Sequence, residues 1–242
     1  MKVTLHPLKV LRTLITCVIL LLILSIVGNI VKYTTEYPDL EEHVIRLIDF
    51  DTEQNIPSYF SSLLLLSVSV LLIYIARSKK ASSYYKQWFG LGLIFAFLAI
   101  DEAVSIHEIL IGPMRYFFNL DGMFYYAWVI PYGIIFLLIG IYYIKFLFSL
   151  PKSYTKKFIV SAAIFLLGAL GMEMVGSSYV SSNGGKDLTY GLLCTVEETL
   201  EMVGMSYFIY TLLSYMSVGL SQSTFKLVVN KRHTQHHILT DN

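Results

Sequence analysis

The stretch that decides the fold is QWFGLGLIFAFLAIDEAVSIHEILI, residues 87–111, because a long apolar run here leads directly into ionisable side chains. An α-helix needs about 20 residues to cross the hydrocarbon core of a bilayer, and this stretch is long enough. Comparable apolar runs occur along the whole chain. The sequence therefore predicts an all-α, polytopic membrane protein with six transmembrane helices. The predicted spans are Val10–Val31, Tyr59–Ala76, Gln87–Ile111, Phe124–Leu147, Phe158–Val180 and Leu188–Val218.

The overall composition agrees with this class of protein. Of the 242 residues, 55% are hydrophobic and only 14% are charged, whereas a soluble domain has about 25% charged residues. These values exclude a disordered chain, a nucleic-acid binder built on a basic patch, and an ordinary soluble enzyme. The lipid bilayer is the partner that the composition predicts. Cys17 and Cys194 both lie in apolar stretches, so we expect neither a disulfide framework nor a zinc finger.

Lysine and arginine residues indicate the orientation of the spans, because cytoplasmic loops are enriched in them. They cluster before the first span, between spans two and three, between spans four and five, and after span six. The alternate loops contain few. We therefore expect both termini in the cytoplasm, with residues 1–220 forming the transmembrane domain and residues 221–242 a disordered cytoplasmic tail. Six spans are few for a self-contained transporter, so we also expect a homo-oligomer or a larger membrane complex.

The first outer loop contains a short helical pattern. Pro38 and Asp39 are residues that begin helices, and apolar residues then recur at helical spacing. These apolar positions are Leu40, Val44, Leu47 and Ile48. The pattern predicts a short amphipathic helix on the outer membrane face, which either seals the mouth of the bundle or acts as a lid that gathers substrate.

Acidic residues inside the predicted spans are the main functional signal. Seven of the 17 acidic residues fall there, and each isolated charge at the bilayer centre costs about 2.5–3.5 kcal/mol. They are therefore expected to face the protein interior. Because spans three and five run outward and span six runs inward, all seven lie toward the outer side. The seven are Asp101, Glu102, Glu108, Glu173, Glu197, Glu198 and Glu201.

Helical spacing divides these acids further. Asp101 and Glu108 share one face of the third span with Ser105, whereas Glu102 and His107 point elsewhere. In the sixth span, positions 197, 198 and 201 form one compact acidic face. We expect a site for a cation or a proton relay formed by residues from three spans. Its candidate ligands are Asp101, Glu108, Glu173, Glu198 and Glu201.

No fixed positive charge balances these acids. The cores of spans three, five and six contain no lysine or arginine, and His107 is the one histidine inside a span. Either some carboxyl groups carry protons or a bound cation neutralises them. Oxygen ligands favour Mg²⁺, Ca²⁺ or Mn²⁺, and iron when a histidine joins them. A zinc site is less favoured because no His-Glu-x-x-His motif occurs, but the identity of the metal stays open among Fe, Mn, Mg, Ca and Zn.

Three segments carry a resemblance to a known kind of protein. DEAVSIHE (101–108), GMEM (171–174) and EETLEM (197–202) resemble segments of uncharacterised bacterial multi-pass membrane proteins, and residues 48–61 are similar too. The resemblance covers most of the chain. It implies a six-span protein of the bacterial inner membrane and implies no substrate.

Three hypotheses for the function follow from these patterns. The first is ion or proton handling, as a small transporter or channel-like subunit. The second is a metal-dependent membrane-embedded enzyme, a hydrolase or oxidoreductase on a lipid-like substrate, in which His107 or Glu108 is the acid or base. The third is a structural or assembly subunit of a membrane complex, in which the acids specify helix packing. The sequence leaves open whether the protein is an enzyme.

Overall fold

The structure, a computed structural model, describes residues 6–34, 43–81 and 83–219, and every regular element within them is helical. Three 3₁₀ turns, Ile45–Leu47, His107–Leu110 and Gly122–Phe124, interrupt the connections, and a π-helical segment, Leu167–Met172, joins α6 to α7. In chain order the helices are α1 (Pro7–Thr34), α2 (Ile56–Ser78), α3 (Tyr85–Val104), α4 (Ile111–Phe118), α5 (Val129–Ser149), α6 (Lys152–Leu166), α7 (Glu173–Asn183) and α8 (Leu188–Gly219).

Five helical segments of the described chain are long and apolar enough to cross a membrane. They are α1, α2, α3, α5 and the continuous segment Lys152–Asn183 that comprises α6, the π-helical segment and α7. Helix α8 has 32 residues but carries Glu197, Glu198 and Glu201, and it is not among the five. An all-helical protein with apolar helices is therefore confirmed, whereas the sixth span and the orientation of the termini stay predictions.

The third predicted span needs a correction, because the helix does not continue to Ile111. Helix α3 ends at Val104, where Ser105 adopts a left-handed backbone conformation with φ 57°. This conformation is costly for a residue with a side chain and cannot continue a right-handed helix. The fourth predicted span begins too early for the same kind of reason: residues 122–124 form a 3₁₀ turn, and α5 begins only at Val129.

Helix α8 lies at the centre of the bundle, where it packs against α1, α2 and α6. Helix α2 packs in turn along α3. The core is formed largely by apolar side chains of α2 and α8, such as Leu72 and Leu212, which have no exposed surface. Close to the start of α8, Ser25 Oγ and Thr195 Oγ1 are hydrogen-bonded at 2.9 Å, and this buried pair joins α1 to α8.

The described part of the loop between α1 and α2 is held by hydrogen bonds. The side-chain amide of Asn55 donates to the backbone carbonyl groups of Arg46, Asp49 and Thr52, and its oxygen caps α2 by accepting from the Ser58 amide. Lys32 of α1 adds an ion pair to Asp49 at 2.8 Å. Residues 35–42, where the amphipathic helix was predicted to begin, and residues 221–242, the predicted tail, lie outside the described residues. Both therefore stay predictions.

Candidate functional site

Acidic side chains from four separate parts of the chain line one cavity, which we call the carboxylate cavity. It has a volume of about 120 Å³, which is room for several water molecules. Nine carboxyl groups line it, together with the basic side chains of His107 and Lys186. The nine acidic residues are Asp51, Glu53, Asp101, Glu102, Glu108, Glu173, Glu197, Glu198 and Glu201. The structure thus brings together all five candidate ligands from the sequence and the candidate acid or base His107.

The end of α3 explains how His107 reaches the cavity. Because the chain turns at Ser105, the backbone amide of His107 donates a hydrogen bond to Asp101 Oδ1 at 2.8 Å. The His107 Nδ1 atom lies 3.4 Å from the same oxygen, and its ring packs against Trp128. The sequence placed His107 on a different face from Asp101, which holds for a continuous helix but not for this turn. Glu102, also expected to point away, lines the cavity as well.

The π-helical segment brings α7 close to α8. It ends at Met172, directly before Glu173, whose Oε1 accepts a hydrogen bond from Trp128 Nε1 at 3.1 Å. Glu173 is also within hydrogen-bonding reach of Glu197. Such a bond between two carboxyl groups needs a proton on one of them. π-Helical turns inside α-helices occur frequently at functional sites.

The loop before α2 supplies two acids that sequence patterns did not reveal. Asp51 and Glu53 both line the cavity, and burial raises the pKa of Glu53 to about 7. No helical spacing marks these residues, because the loop has no period. The one local signal is the capping residue Asn55, which predicts that the loop ends at the start of α2.

A lysine at the edge of the cavity neutralises part of this charge. Lys186 Nζ lies 2.7 Å from Asp51 Oδ1, and Lys32 Nζ lies 4.0 Å from Asp51 Oδ2. Burial lowers the pKa of Lys186, but the Asp51 carboxylate raises it more, so the net shift is upward and the lysine stays charged. One lysine and one histidine cannot balance nine carboxyl groups.

Metal binding at this cavity depends on how closely its ligating side chains approach one another. Within residues 6–34, 43–81 and 83–219, no three His, Cys, Asp or Glu side chains are arranged closely enough to hold one metal ion as they stand. Three buried carboxyl oxygens in the described part of the site have no hydrogen-bond partner: Glu53 Oε2, Glu102 Oε1 and Glu198 Oε2. The buried Ser105 Oγ, which also has no partner, lies within hydrogen-bonding reach of the Glu53 side chain. The donor set is suitable for a hard cation, but binding one requires side-chain rotation.

The fold and the cavity define a class: an all-helical protein with apolar, membrane-length helices and a shared cavity of acidic side chains. A family model described as "Domain of unknown function (DUF8692)" matches residues 13–216, and the chain belongs to that family. Searches of curated proteins and of solved structures each found no match. The family agrees with the resemblance to proteins without an assigned activity, while the bacterial source and the family's specific motifs stay predictions.

Proposed function

We propose that this protein handles a cation or protons at the carboxylate cavity, as a small membrane transporter or channel-like subunit. The observation that carries the proposal is the charge of the cavity wall, where nine carboxyl groups face two basic side chains. A cluster of anions in a medium of low dielectric constant is stable only if protons or a bound cation neutralise most of them. The cavity therefore has the chemistry to take up and release positive charge.

Neighbouring carboxyl groups support proton exchange in particular. Glu173 and Glu197 lie on different helices within hydrogen-bonding reach of each other, and a bond between them needs one proton. Asp101 and His107 form a second acid–base pair on another part of the wall. Proton relays in membrane proteins are built from Asp, Glu and His side chains at such positions.

The membrane arrangement in this proposal has six spans, with α8 as the sixth. Both termini face the cytoplasm of a bacterium, and the carboxylate cavity is on the outer side of the inner membrane. The distribution of lysine and arginine supports this orientation. Placing α8 in the membrane is supported by its central position against α1, α2 and α6.

Flux through reconstituted vesicles tests the proposal. The purified protein is placed in liposomes that contain a pH-sensitive dye, and a pH or cation gradient is applied. We expect flux that falls at least tenfold in Asp101→Asn, Glu173→Gln and Glu201→Gln. Asp121→Asn, which changes an exposed carboxyl group outside the cavity, is the matched control and retains the flux. Equal flux in protein-free liposomes refutes the proposal.

A second candidate function is a metal-dependent membrane-embedded enzyme that acts on a lipid-like substrate. The observation that favours it is the Asp101–His107 pair, because a carboxylate that orients an imidazole is a common arrangement for a general base. Apolar side chains, among them Leu98 and Phe136, line the cavity beside the acids and suit an acyl chain. If the purified protein contains Fe, Mn or Zn in stoichiometric amount and shows no ion flux in liposomes, the enzyme hypothesis is supported. If the three cavity variants change neither flux nor metal content, the role of a structural or assembly subunit is left.

A further inference from the structure

Six of the nine carboxyl groups of the cavity fall into two sets of three by their hydrogen-bond partners. In the first set, protein donors already occupy an oxygen: His107 N–H donates to Asp101, Trp128 Nε1 donates to Glu173, and Lys186 pairs with Asp51. These contacts fix the side chains and reduce their capacity to bind anything else.

The second set consists of Glu53, Glu102 and Glu198. Each residue as a whole is only partly buried, but one oxygen of each, namely Glu53 Oε2, Glu102 Oε1 and Glu198 Oε2, has almost no accessible surface and no hydrogen-bond partner. Leaving a buried acceptor unsatisfied costs about 1–3 kcal/mol, and more if it is charged. Such groups in a folded protein indicate a ligand, an ion or water.

These three residues come from three different elements and interact with one another. Glu53 lies in the loop before α2, Glu102 on α3 and Glu198 on α8. Glu102 lies close enough to Glu198, Glu201 and Glu53 for their charges to interact, and Glu198 close enough to Glu53. All three residues line the carboxylate cavity, although among the described residues no three such side chains converge on one point as they stand.

We propose that Glu53, Glu102 and Glu198 bind one hard divalent cation, which links the outer loop to α3 and α8. The inference rests on the proposed cation-binding role of the cavity. Glu198 was already a candidate ligand in the sequence analysis. Glu53 and Glu102 are added because of their unpartnered oxygens, which a sequence cannot show.

The number and type of ligands determine the ion. Three carboxylates carry three negative charges and six oxygen atoms, and carboxylate oxygens are the ligands that Ca²⁺, Mg²⁺ and Mn²⁺ prefer. Water in the cavity of about 120 Å³ completes the coordination. The loop is preorganised on one side, because Asn55 and the Lys32–Asp49 ion pair hold the segment that carries Glu53. The cation then has to draw in only the flexible ends of the glutamate side chains.

Mn²⁺ is the probe that tests this site, since its electron paramagnetic resonance signal reports free and bound ion directly. The full chain in neutral detergent is titrated with Mn²⁺, and Ca²⁺ and Mg²⁺ are then added as competitors. We expect one saturable site per chain and at least a tenfold weaker affinity in Glu53→Gln, Glu102→Gln and Glu198→Gln. Loss of an outer-shell partner alone weakens metal affinity by about 10- to 100-fold. Asp121→Asn retains the wild-type affinity.

The melting temperature separates lost binding from lost folding. Because each Gln substitution removes a buried negative charge, the metal-free variants should melt at or above the wild-type temperature. Mn²⁺ should raise the melting temperature of the wild type but not that of the variants. Unchanged affinity in all three variants, or an equal loss in Asp121→Asn, overturns the inference.

The failure of this site and the failure of the proposed function give different results. Proton or monovalent-cation flux in a protein without saturable Mn²⁺ binding overturns the divalent site and leaves ion handling in place. Saturable Mn²⁺ binding that needs the three glutamates, in a protein without flux, leaves the site and refutes transport.

Discussion

Gly168→Ala tests a close contact between the π-helical segment and α8. A Cβ atom at position 168 would lie 2.8 Å from the Glu197 carbonyl oxygen and 2.8 Å from Glu201 Cγ. Ordinary contact begins at 3.4 Å, so the two segments must separate by about 0.6 Å. The backbone of α8 cannot yield as a flexible side chain does. The substitution therefore moves α8 at the level of the carboxylate cavity.

The size of the effect follows from two opposing contributions. Inserting a methyl group into a tightly packed contact costs about 1–3 kcal/mol. Replacing glycine by alanine in a helix returns about 0.5–1 kcal/mol. The net expectation is a loss of up to about 2.5 kcal/mol, with a central value of about 1 kcal/mol. For a chain of this size, a loss of about 1 kcal/mol lowers the melting temperature by about 2–4 °C.

Thermal unfolding in detergent, followed by intrinsic fluorescence, measures this effect. The matched control is Gly140→Ala on α5, where an added Cβ meets nothing within 4 Å. The control should leave the melting temperature unchanged or slightly higher. If the two variants melt together, the close approach at Gly168 is wrong, and with it the statement that the π-helical segment brings α7 close to α8.

Three further predictions concern the loop between α1 and α2 and its contacts. Asn55→Ala removes the cap of α2 and the hydrogen bonds that close the loop, so it should lower the free energy of unfolding by about 1–2 kcal/mol. Ser67→Ala, which removes an exposed hydroxyl group, is the control and should change this free energy little. Chemical denaturation measures both variants. Burial raises the pKa of Glu53 from 4.5 to about 7. In a buffer that contains a metal chelator, the free energy of unfolding should therefore fall as the pH rises from about 4.5 to 7 and stay constant above about pH 7. A Glu53→Gln variant that shows the same fall contradicts this prediction. Lys186→Met should change the melting temperature by little, because the ion pair of this half-exposed lysine with Asp51 is worth about 0–1 kcal/mol; a loss of many degrees would show that the pair is a main support of the loop.

The sequence predicted those parts of the structure that depend on local patterns. Long apolar runs predict helices because hydropathy acts over neighbouring residues, and the helices are present. Counting positions along separate helices also placed Asp101, Glu173 and Glu198 at one depth, and the three line the same cavity. Length and direction of a helix are enough for that inference.

Other parts of the site depend on contacts that no local pattern records. The left-handed Ser105 ends α3 and returns His107 to Asp101, which a helical projection of residues 101–108 cannot show. Glu53 belongs to a loop whose inward position is set by hydrogen bonds of Asn55 to distant carbonyl groups. Neither feature follows a periodic sequence pattern, so neither can be inferred from the sequence alone.

The charge of the cavity argues against a purely structural role for its acids. Replacing buried ionic groups by apolar residues of similar volume is often neutral or stabilising. A chain that needed only tight packing between α3, α7 and α8 would gain stability from leucine or methionine at these positions. Instead, nine acidic side chains lie around one cavity with a single lysine and a single histidine on its wall. Such an arrangement destabilises the folded protein in the absence of a bound cation or proton. Because binding positive charge relieves this repulsion, we place ion handling ahead of assembly.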